Sequence, residues 1–218
     1  MKAAAIIVAG GSGKRFGTAT PKQFLNLKEK PVFLWSVEAF ASLKVFKQIV
    51  LVVPQAMLKN LSKKYKNLTF VAGGKERFDS VKNGLNIINK DIDFIAVHDA
   101  ARPLINKKDI LAVLKKAAEN RAAIAAEKTK DTIKTVKNGF VKNTLDRSVL
   151  WNVQTPQIFE ASLLKKAYSK KISASVTDDS MLIEKSGVKV AVVETKFPNF
   201  KITTKQDFMS AEQLIKGK

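Results

Sequence analysis

The chain has 218 residues, of which 45% are hydrophobic and 27% charged, a balance typical of a soluble globular protein and without the long apolar run of a membrane helix. It has no cysteine and one histidine, which excludes disulfides and thiolate metal sites and disfavours a histidine metal site. The 39 Lys and Arg exceed the 19 Asp and Glu by 20; such an excess can indicate a nucleic-acid-binding protein, but scattered lysines favour solvated helix faces.

Short apolar runs alternate with amphipathic stretches along the chain. The runs predict strands at 4–9, 48–53, 68–71, 94–97, 122–126 and 188–193, and continuous apolar runs are typical of buried parallel strands. The amphipathic stretches predict helices at 31–42, 77–88, 107–119 and 205–215, the last of them capped by Thr204. We therefore expect one α/β domain over residues 1–218, with ligands beyond the carboxyl ends of the strands.

The first predicted strand leads into a glycine-rich segment, VAGGSGKRFGTATPKQF, at residues 8–24. Its spacing fits neither the Walker pattern nor the dinucleotide-binding pattern. Glycine backbone can nevertheless approach an anion closely, and Lys14, Arg15 and Lys22 follow in the same segment. These features favour a phosphate-binding loop, although an ordinary strand-to-helix turn with solvated lysines is the alternative reading.

Three further motifs stand at predicted strand ends or in the connections after them. GGKERFDSV at 73–81 repeats the order of strand, glycine pair and helix start. FIAVHDAARP puts Asp99 at the end of an apolar strand, next to His98, which we interpret as structural. Residues 130–152 contain alternating apolar residues around Asn138-Gly139, which predicts a hairpin that projects from the sheet as an arm. For the first two motifs, a plain turn or helix cap is the alternative.

The residue content also limits the chemistry. With no cysteine and one histidine, the chain is poorly equipped for a cysteine nucleophile or a serine–histidine pair. A phosphate monoester is largely a dianion at neutral pH and can attack another phosphorus without a general base. Lysines, arginines, glycine amides and Mg²⁺ would be enough for such a reaction.

In combination, these motifs resemble the 2-C-methyl-D-erythritol 4-phosphate cytidylyltransferase family. The resemblance rests on Gly-x-Gly-x-Arg with Pro-Lys-Gln, GG-x-E-R-x-D-S-V, HDAARP, L-D-R with Trp151, T-P-Q, T-D-D and N-F-K-I-T, in that order from residue 6 to residue 207. It implies a Rossmann-like nucleotidyltransferase fold, a mostly parallel sheet with helices on its faces, and a homodimer formed through the arm at about 130–152. It also implies an enzyme that joins CTP to methylerythritol phosphate with Mg²⁺ or another divalent cation, and the absence of cysteine favours a reducing cytoplasm as its location.

The resemblance also implies roles for individual residues. Arg15 and Lys22 would stabilise the transition state, while Arg147 and Lys201 would orient the attacking phosphate. The nucleotide would be bound by Ala9, Gly10, Gly11, Gly13, Lys14, Gly74, Ser80 and Asp99. Methylerythritol phosphate would be bound by Asp99, Thr177 and Lys201, together with Arg102, Thr132, Arg147 and Thr155 from the partner's side of the dimer. The triphosphate itself would supply most of the ligands of the metal ion.

Small departures from the family pattern leave these expectations in place. Ala9-Gly10-Gly11 stands where Ala-Ala-Gly is usual, Phe16 replaces a common Met, and Lys75 occupies a position near the ribose that is acidic in some members. The main alternative is the related ribitol 5-phosphate cytidylyltransferase, which shares the loop and T-P-Q. The Ala100-Ala101 pair and the context of Trp151 favour the methylerythritol enzyme.

Overall fold

A computed structural model describes residues 1–11, 16–17, 20–170 and 176–215 of the chain. The strands are β1 (Ala3–Val8), β2 (Asn26–Leu27), β3 (Lys30–Pro31), β4 (Phe46–Val53), β5 (Thr69–Ala72), β6 (Phe94–Asp99), β7 (Ala122–Lys128), β8 (Lys134–Lys137), β9 (Phe140–Thr144), β10 (Trp151–Glu160) and β11 (Ala191–Glu194). The helices are α1 (Val32–Ala41), α2 (Gln55–Lys64), α3 (Arg77–Leu85), α4 (Lys107–Asn120), α5 (Ala161–Ser169), α6 (Asp179–Glu184) and α7 (Lys205–Ile215).

Seven of the strands form one sheet in the order β11-β7-β10-β6-β1-β4-β5. All neighbouring pairs are parallel except those of β10, which is antiparallel to both β6 and β7. The prediction of a mostly parallel α/β sheet is therefore confirmed. The sequence reading missed β10 because Pro156 and several polar residues interrupt its apolar pattern, and a proline argues against an inner strand. The pairing of β10 with β7 shifts register between Val153 and Gln157.

Helices cover both faces of the sheet, because central strands such as β1 and β6 carry buried side chains on both sides. Phe40 of α1 and Leu114 of α4 pack in one core cluster, which also takes in Leu61 of α2. Val81 of α3 and Leu164 of α5 belong to the cluster on the opposite face. A third cluster packs α7 against the segment around β2. This two-layer cover leaves the carboxyl ends of the strands as the accessible edge.

The predicted helices are confirmed, although their bounds differ by a few residues. The prediction at 77–88 ends earlier, at Leu85, and the predicted strand at 188–193 is shorter and begins at Ala191. The sequence reading missed α2 and α5, whose apolar patterns are interrupted by lysines, and α6, which is only six residues long. The Thr204 cap is confirmed, since its Oγ1 accepts from the Asp207 amide at 3.1 Å and its own amide donates to Asp207 Oδ2 at 2.7 Å.

The predicted arm is also confirmed. Strands β8 and β9 form a separate antiparallel pair joined by Asn138 and Gly139, and both joining residues have positive φ, 52° and 84°. Such angles suit the tight turn that matches the twist of a hairpin. The arm leaves the sheet after Lys128 and returns at Trp151, which pair with each other.

Candidate active site

A cleft of about 430 Å³ opens at the carboxyl edge of the sheet. Residues that follow β1, β5 and β6 line it, together with residues from the segments before β2 and before α7. The lining residues are Val8, Ala9, Gly10, Gly11, Lys22, Gln23, Gly74, Lys75, Glu76, Arg77, Ser80, Asp99, Ala101 and Lys201. In an open α/β sheet, ligands bind at this edge.

The end of β1 and the short helical turn at Lys22–Phe24 are joined by one side chain. The Gln23 amide donates to the carbonyl of Ala9 at 2.7 Å and to the carbonyl of Gly11 at 2.8 Å. Gln23 itself is only 3% exposed. The backbone of the glycine segment is therefore held against the residue that follows Lys22.

The connection from β5 to α3 forms the opposite wall of the cleft. The hydroxyl of Ser80 accepts from the Gly74 amide at 3.1 Å and donates to the Glu76 carbonyl at 3.1 Å, and Glu76 and Asp79 form a reciprocal capping box at the start of α3. A Cβ on Gly74 would overlap Asp79. The sequence needs glycine here because the backbone passes directly against the helix start.

Asp99 is the centre of charge in the cleft. Its Oδ2 lies 2.8 Å from Lys201 Nζ and 3.8 Å from Arg102 Nε, and its Oδ1 lies 3.4 Å from Arg77 Nε. Burial alone would raise the pKa of this carboxyl, but the charges of Arg77, Lys201 and Arg102 outweigh that effect and hold the pKa well below its usual range. Asp99 is therefore an anion that contacts three cationic side chains: Arg77 of α3, Arg102 after β6 and Lys201 before α7.

His98 lies behind Asp99 and does not reach the cleft. It is 0% exposed, its Nδ1 lies 3.1 Å from the Thr155 hydroxyl and its Nε2 lies 3.3 Å from the Arg102 carbonyl. Because Thr155 Oγ1 already accepts from the Asp99 amide at 3.0 Å, its proton is available for Nδ1, which suits a neutral imidazole. Burial lowers the pKa of His98 to about 4. The interpretation of His98 as structural is confirmed.

Arg77 connects the cleft to a buried polar cluster that the sequence reading did not include. Its Nη2 donates to Asp179 Oδ2 at 2.8 Å, and the Tyr168 hydroxyl donates to the other oxygen of this fully buried carboxylate. Burial raises the pKa of Tyr168 well above its usual range, and the negative charge of Asp179 adds to the effect. Gln157 Oε1 accepts from the amides of Asp179 and Ser180 at 3.1 and 3.0 Å, which fixes the start of α6 to β10.

The structure brings most of the predicted site residues that it describes into or beside the cleft. Eight of them line it: Ala9, Gly10, Gly11, Lys22, Gly74, Ser80, Asp99 and Lys201. Gly13, Lys14 and Arg15 lie outside the described residues. Thr177 lines a second cavity of about 320 Å³ on the other side of Glu76 and Arg77.

The four residues expected from the partner's side divide into two pairs. Arg102 and Thr155 pack against Asp99 of their own chain, which corrects their assignment to the partner, because β6 and β10 are neighbours in one sheet. Thr132 and Arg147 instead belong to the arm, where Thr132 is exposed and Arg147 Nη1 donates to the Lys130 carbonyl at 2.8 Å. Neither of these two lines the cleft of its own chain.

Sequence reasoning left without a role Gln23 and Arg77, which line the cleft, and Asp179, which binds Arg77. All three stand inside motifs that were recognised: Pro-Lys-Gln, GG-x-E-R and T-D-D. The motifs therefore marked these residues, but they did not show what each residue contacts. Arg77 and Asp179 are 102 residues apart, and such a pair leaves no local sequence pattern.

The donors present suit a metal held mainly by a ligand rather than by the protein. Among the described residues, no three histidine, cysteine or acidic side chains form a group that could hold an ion. Asp99 and Glu76 are the carboxylates that line the cleft. Mg²⁺ commonly uses one or two carboxylates plus substrate phosphates, and this donor set fits that mode.

Comparison with known proteins gives a consistent result over the whole chain. Residues 3–217 match the family model described as 2-C-methyl-D-erythritol 4-phosphate cytidylyltransferase. A protein of that name from Endomicrobium trichonymphae is 64% identical over 219 residues, with 100% of both chains covered. Another from Caldanaerobacter subterraneus is 38% identical over 226 residues and covers 99% of this chain and 100% of its own.

Solved structures agree with the sequence relatives. The 4-diphosphocytidyl-2C-methyl-D-erythritol synthase of Anaerococcus prevotii superposes with a TM-score of 0.83 at 27% identity, covering 99% of this chain and 98% of its own. The 2-C-methyl-D-erythritol 4-phosphate cytidylyltransferase of Thermus thermophilus superposes with a TM-score of 0.82 at 26% identity, covering 99% of this chain and 100% of its own.

Proposed function

The chain belongs to the 2-C-methyl-D-erythritol 4-phosphate cytidylyltransferase family, and we propose how its cleft carries out that family's reaction. The enzyme transfers the cytidylyl group of CTP to 2-C-methyl-D-erythritol 4-phosphate and releases pyrophosphate, a step in isoprenoid precursor synthesis.

One observation carries the proposal: a cleft at the carboxyl edge of the sheet combines glycine backbone with a cationic wall. Gly10, Gly11 and Gly74 line it alongside Lys22, Arg77 and Lys201. Such a site suits a highly charged triphosphate, because backbone amides and cations both stabilise anions without proton transfer. The net charge of +20 would also attract anionic substrates towards the cleft.

The reaction is an attack by one phosphate on another. A phosphate oxygen of methylerythritol phosphate forms a bond to the α-phosphorus of CTP, and the bond from that phosphorus to the bridging oxygen breaks as pyrophosphate leaves. The attacking phosphate is already ionised near neutral pH, so no general base is needed. This agrees with the burial of the only histidine, which stands behind Asp99 with a pKa lowered by burial to about 4.

We assign the charge-stabilising role to Arg15 and Lys22 and the orienting role to Arg147 and Lys201. The nearly buried position of Lys22, 8% exposed at the cleft wall, supports its part, because a cation in a poorly hydrated site stabilises developing charge more strongly. The orienting role of Lys201 is supported by its contact with Asp99 at 2.8 Å, which holds its ammonium group at the cleft. Gly13 and Lys14 would bind the triphosphate with Gly10 and Gly11.

Mg²⁺, or another divalent cation, would be held mainly by the triphosphate, and the cleft carboxylates Asp99 and Glu76 could supply a protein ligand. When bound, the ion neutralises phosphate charge and makes the α-phosphorus easier to attack. Asp99 remains ionised because Arg77, Lys201 and Arg102 outweigh the effect of its burial and hold its pKa down. Its place in the cleft supports this role.

A homodimer formed through the arm would complete the acceptor site. Phe140 is 79% exposed on one face of the hairpin, and the paired residues Val136 and Val141 are exposed on the other face, so both faces carry apolar side chains that a second copy of the arm could cover. Dimerisation would bring Thr132 and Arg147 to the partner's cleft, which accounts for their distance from their own. Thr177 would contribute from the side of the second cavity.

We also propose a cytoplasmic location, as expected for a cysteine-free enzyme that uses CTP. In the parts of the chain that the structure describes, no helix has the length and apolar character needed to cross a membrane.

The decisive experiment measures pyrophosphate release by the full-length protein. CTP, UTP, ATP and GTP are each combined with methylerythritol phosphate, ribitol 5-phosphate or a simple sugar 1-phosphate, with and without a chelator. We expect turnover with CTP and methylerythritol phosphate, abolished by the chelator. Turnover restricted to CTP with ribitol 5-phosphate would contradict the assignment, and activity unaffected by the chelator would contradict the role of the metal.

A further inference from the structure

Gln23 joins the two ends of the glycine-rich loop and does not belong to the set of residues assigned above. It follows Lys22 directly, and its side chain reaches back across the cleft wall to the residues after β1. The two hydrogen bonds of its amide, 2.7 Å to the Ala9 carbonyl and 2.8 Å to the Gly11 carbonyl, use both N–H groups of one nitrogen. With 3% of the residue exposed, water competes little for either bond.

These bonds decide which backbone atoms face an incoming anion. A carbonyl oxygen carries partial negative charge and would repel a triphosphate, whereas an amide N–H would attract it. Because a trans peptide is planar, holding the Ala9 carbonyl against Gln23 directs the Gly10 amide the opposite way. Since glycine backbone is permissive, the segment would not keep this orientation without an anchor.

The same side chain also fixes the start of the turn that carries Lys22. Gln23 and Lys22 are both nearly buried and both line the cleft. Any shift of Gln23 away from the Ala9 and Gly11 carbonyls would move Lys22 relative to the end of β1. Catalytic cations must be held to within a fraction of an ångström to be effective.

We propose that Gln23 is a positioning residue for the CTP triphosphate. It acts through the backbone of residues 9–11 and through Lys22, by turning two carbonyls away from the anion and setting the distance between the glycine segment and the catalytic lysine. This inference rests on the proposed function, because it presumes that the cleft binds CTP. The Gln23 carboxamide would act only by organising main-chain groups.

The test compares two variants of Gln23. Gln23→Met keeps the side-chain length and loses both N–H donors. Gln23→His keeps one N–H donor, because the histidine Nε2 lies as many bonds from Cα as the glutamine Nε2. Gln48→Met is the matched control, because Gln48 also bridges main-chain groups, donating to the Ile87 carbonyl at 2.8 Å and accepting from the Asn89 amide at 2.9 Å, away from the cleft. Each variant is assayed for kcat, both KM values, CTP binding by calorimetry, and Tm.

We expect Gln23→Met to lower kcat/KM for CTP by about 10- to 100-fold, with a higher KM and weaker binding for CTP and an unchanged KM for methylerythritol phosphate. Gln23→His should recover part of this loss, and Gln48→Met should match the wild type. A merely structural role would reduce the active fraction and Tm but leave both KM values unchanged. A kcat/KM for CTP within about threefold of wild type in Gln23→Met, or no recovery in Gln23→His, would overturn the proposal.

If Gln23→Met does not fold, the comparison of Gln23→His with wild type decides, since a normal KM for CTP with one donor lost would overturn the proposal. The wild-type assay separates this inference from the proposed function. A wild type that turns over CTP while Gln23→Met does so equally well refutes the role of Gln23 alone. A wild type that neither binds nor turns over CTP refutes the proposed function and the inference together.

Discussion

Acid should destabilise this protein through His98 before any catalytic group titrates. Folding lowers the pKa of His98 from its ordinary 6.5 to about 4, because the ring is fully buried. The unfolded chain therefore takes up a proton as the pH falls below 6.5, while the folded chain does not until about pH 4. The contribution of the neutral His98 ring to the free energy of unfolding is therefore at its full value above the unfolded pKa of 6.5. It is lost as the pH falls from 6.5 to about 4.

The size of this loss follows from the width of the window. The pKa values of 6.5 and about 4, at about 1.4 kcal/mol per unit, correspond to about 3 kcal/mol of unfolding free energy. His98 is the only histidine of the chain, so no other side chain has an unperturbed pKa in the upper part of this range. Asp99 adds little there, because its own pKa lies well below its usual range.

Urea unfolding of the wild type and His98→Gln, followed by tryptophan fluorescence at several pH values between about 7 and 4.5, measures the effect. Glutamine keeps an N–H donor and cannot titrate. We expect the free energy of unfolding to fall by up to about 1.4 kcal/mol per pH unit more steeply in the wild type than in the variant. Parallel pH dependences would refute the argument that His98 is buried as a neutral ring.

Three further outcomes follow from the site and the arm. Lys22→Ala or Arg15→Ala should each lower kcat by about 10²- to 10³-fold in the pyrophosphate-release assay, because the lost charge acts mainly in the transition state; near-normal turnover would contradict those roles. Asp179→Asn should reduce the free energy of unfolding by about 2 kcal/mol. This loss is smaller than for a fully buried ion pair, because the Arg77 side chain is 29% exposed and also contacts Asp99. An unchanged urea-unfolding curve would contradict the prediction. Phe140→Asp should weaken dimerisation at least about tenfold by light scattering without lowering monomer stability, because the ring is 79% exposed. The control is Lys59→Ala, an exposed position on α2 outside the arm; an unchanged dimer in Phe140→Asp would contradict the role of the arm in the interface.

Local patterns were sufficient for the parts of the fold that depend on neighbouring residues. The apolar runs around Ile6 and Val97 predicted parallel strands because both faces of those strands are covered. Asn138-Gly139 predicted the hairpin because both residues accept positive φ. Asp99 could be placed at the ligand edge because it directly follows an apolar run, and strand ends meet at that edge.

Long-range contacts account for what the sequence could not give. Strand β10 combines Pro156 with polar residues, and these have a reason only in the structure: Thr155 supports Asp99, and Gln157 binds the start of α6. The contact of Arg77 with Asp179 crosses 102 residues, so neither residue predicts the other. Motif resemblance found the region, but only the packing assigns each side chain its neighbour.

The position of the arm within the sheet makes it a removable part. It is inserted between β7 and β10, whose residues Lys128 and Trp151 already face each other as a pair. A two-residue turn could therefore replace residues 129–150 without opening the sheet or shifting its register. Such a shortened chain would lack Thr132 and Arg147 together with the apolar surface of the hairpin. The proposed dimer contact and two of the seven proposed acceptor-site residues would thus be carried on one appendage that the pairing of β7 with β10 does not require.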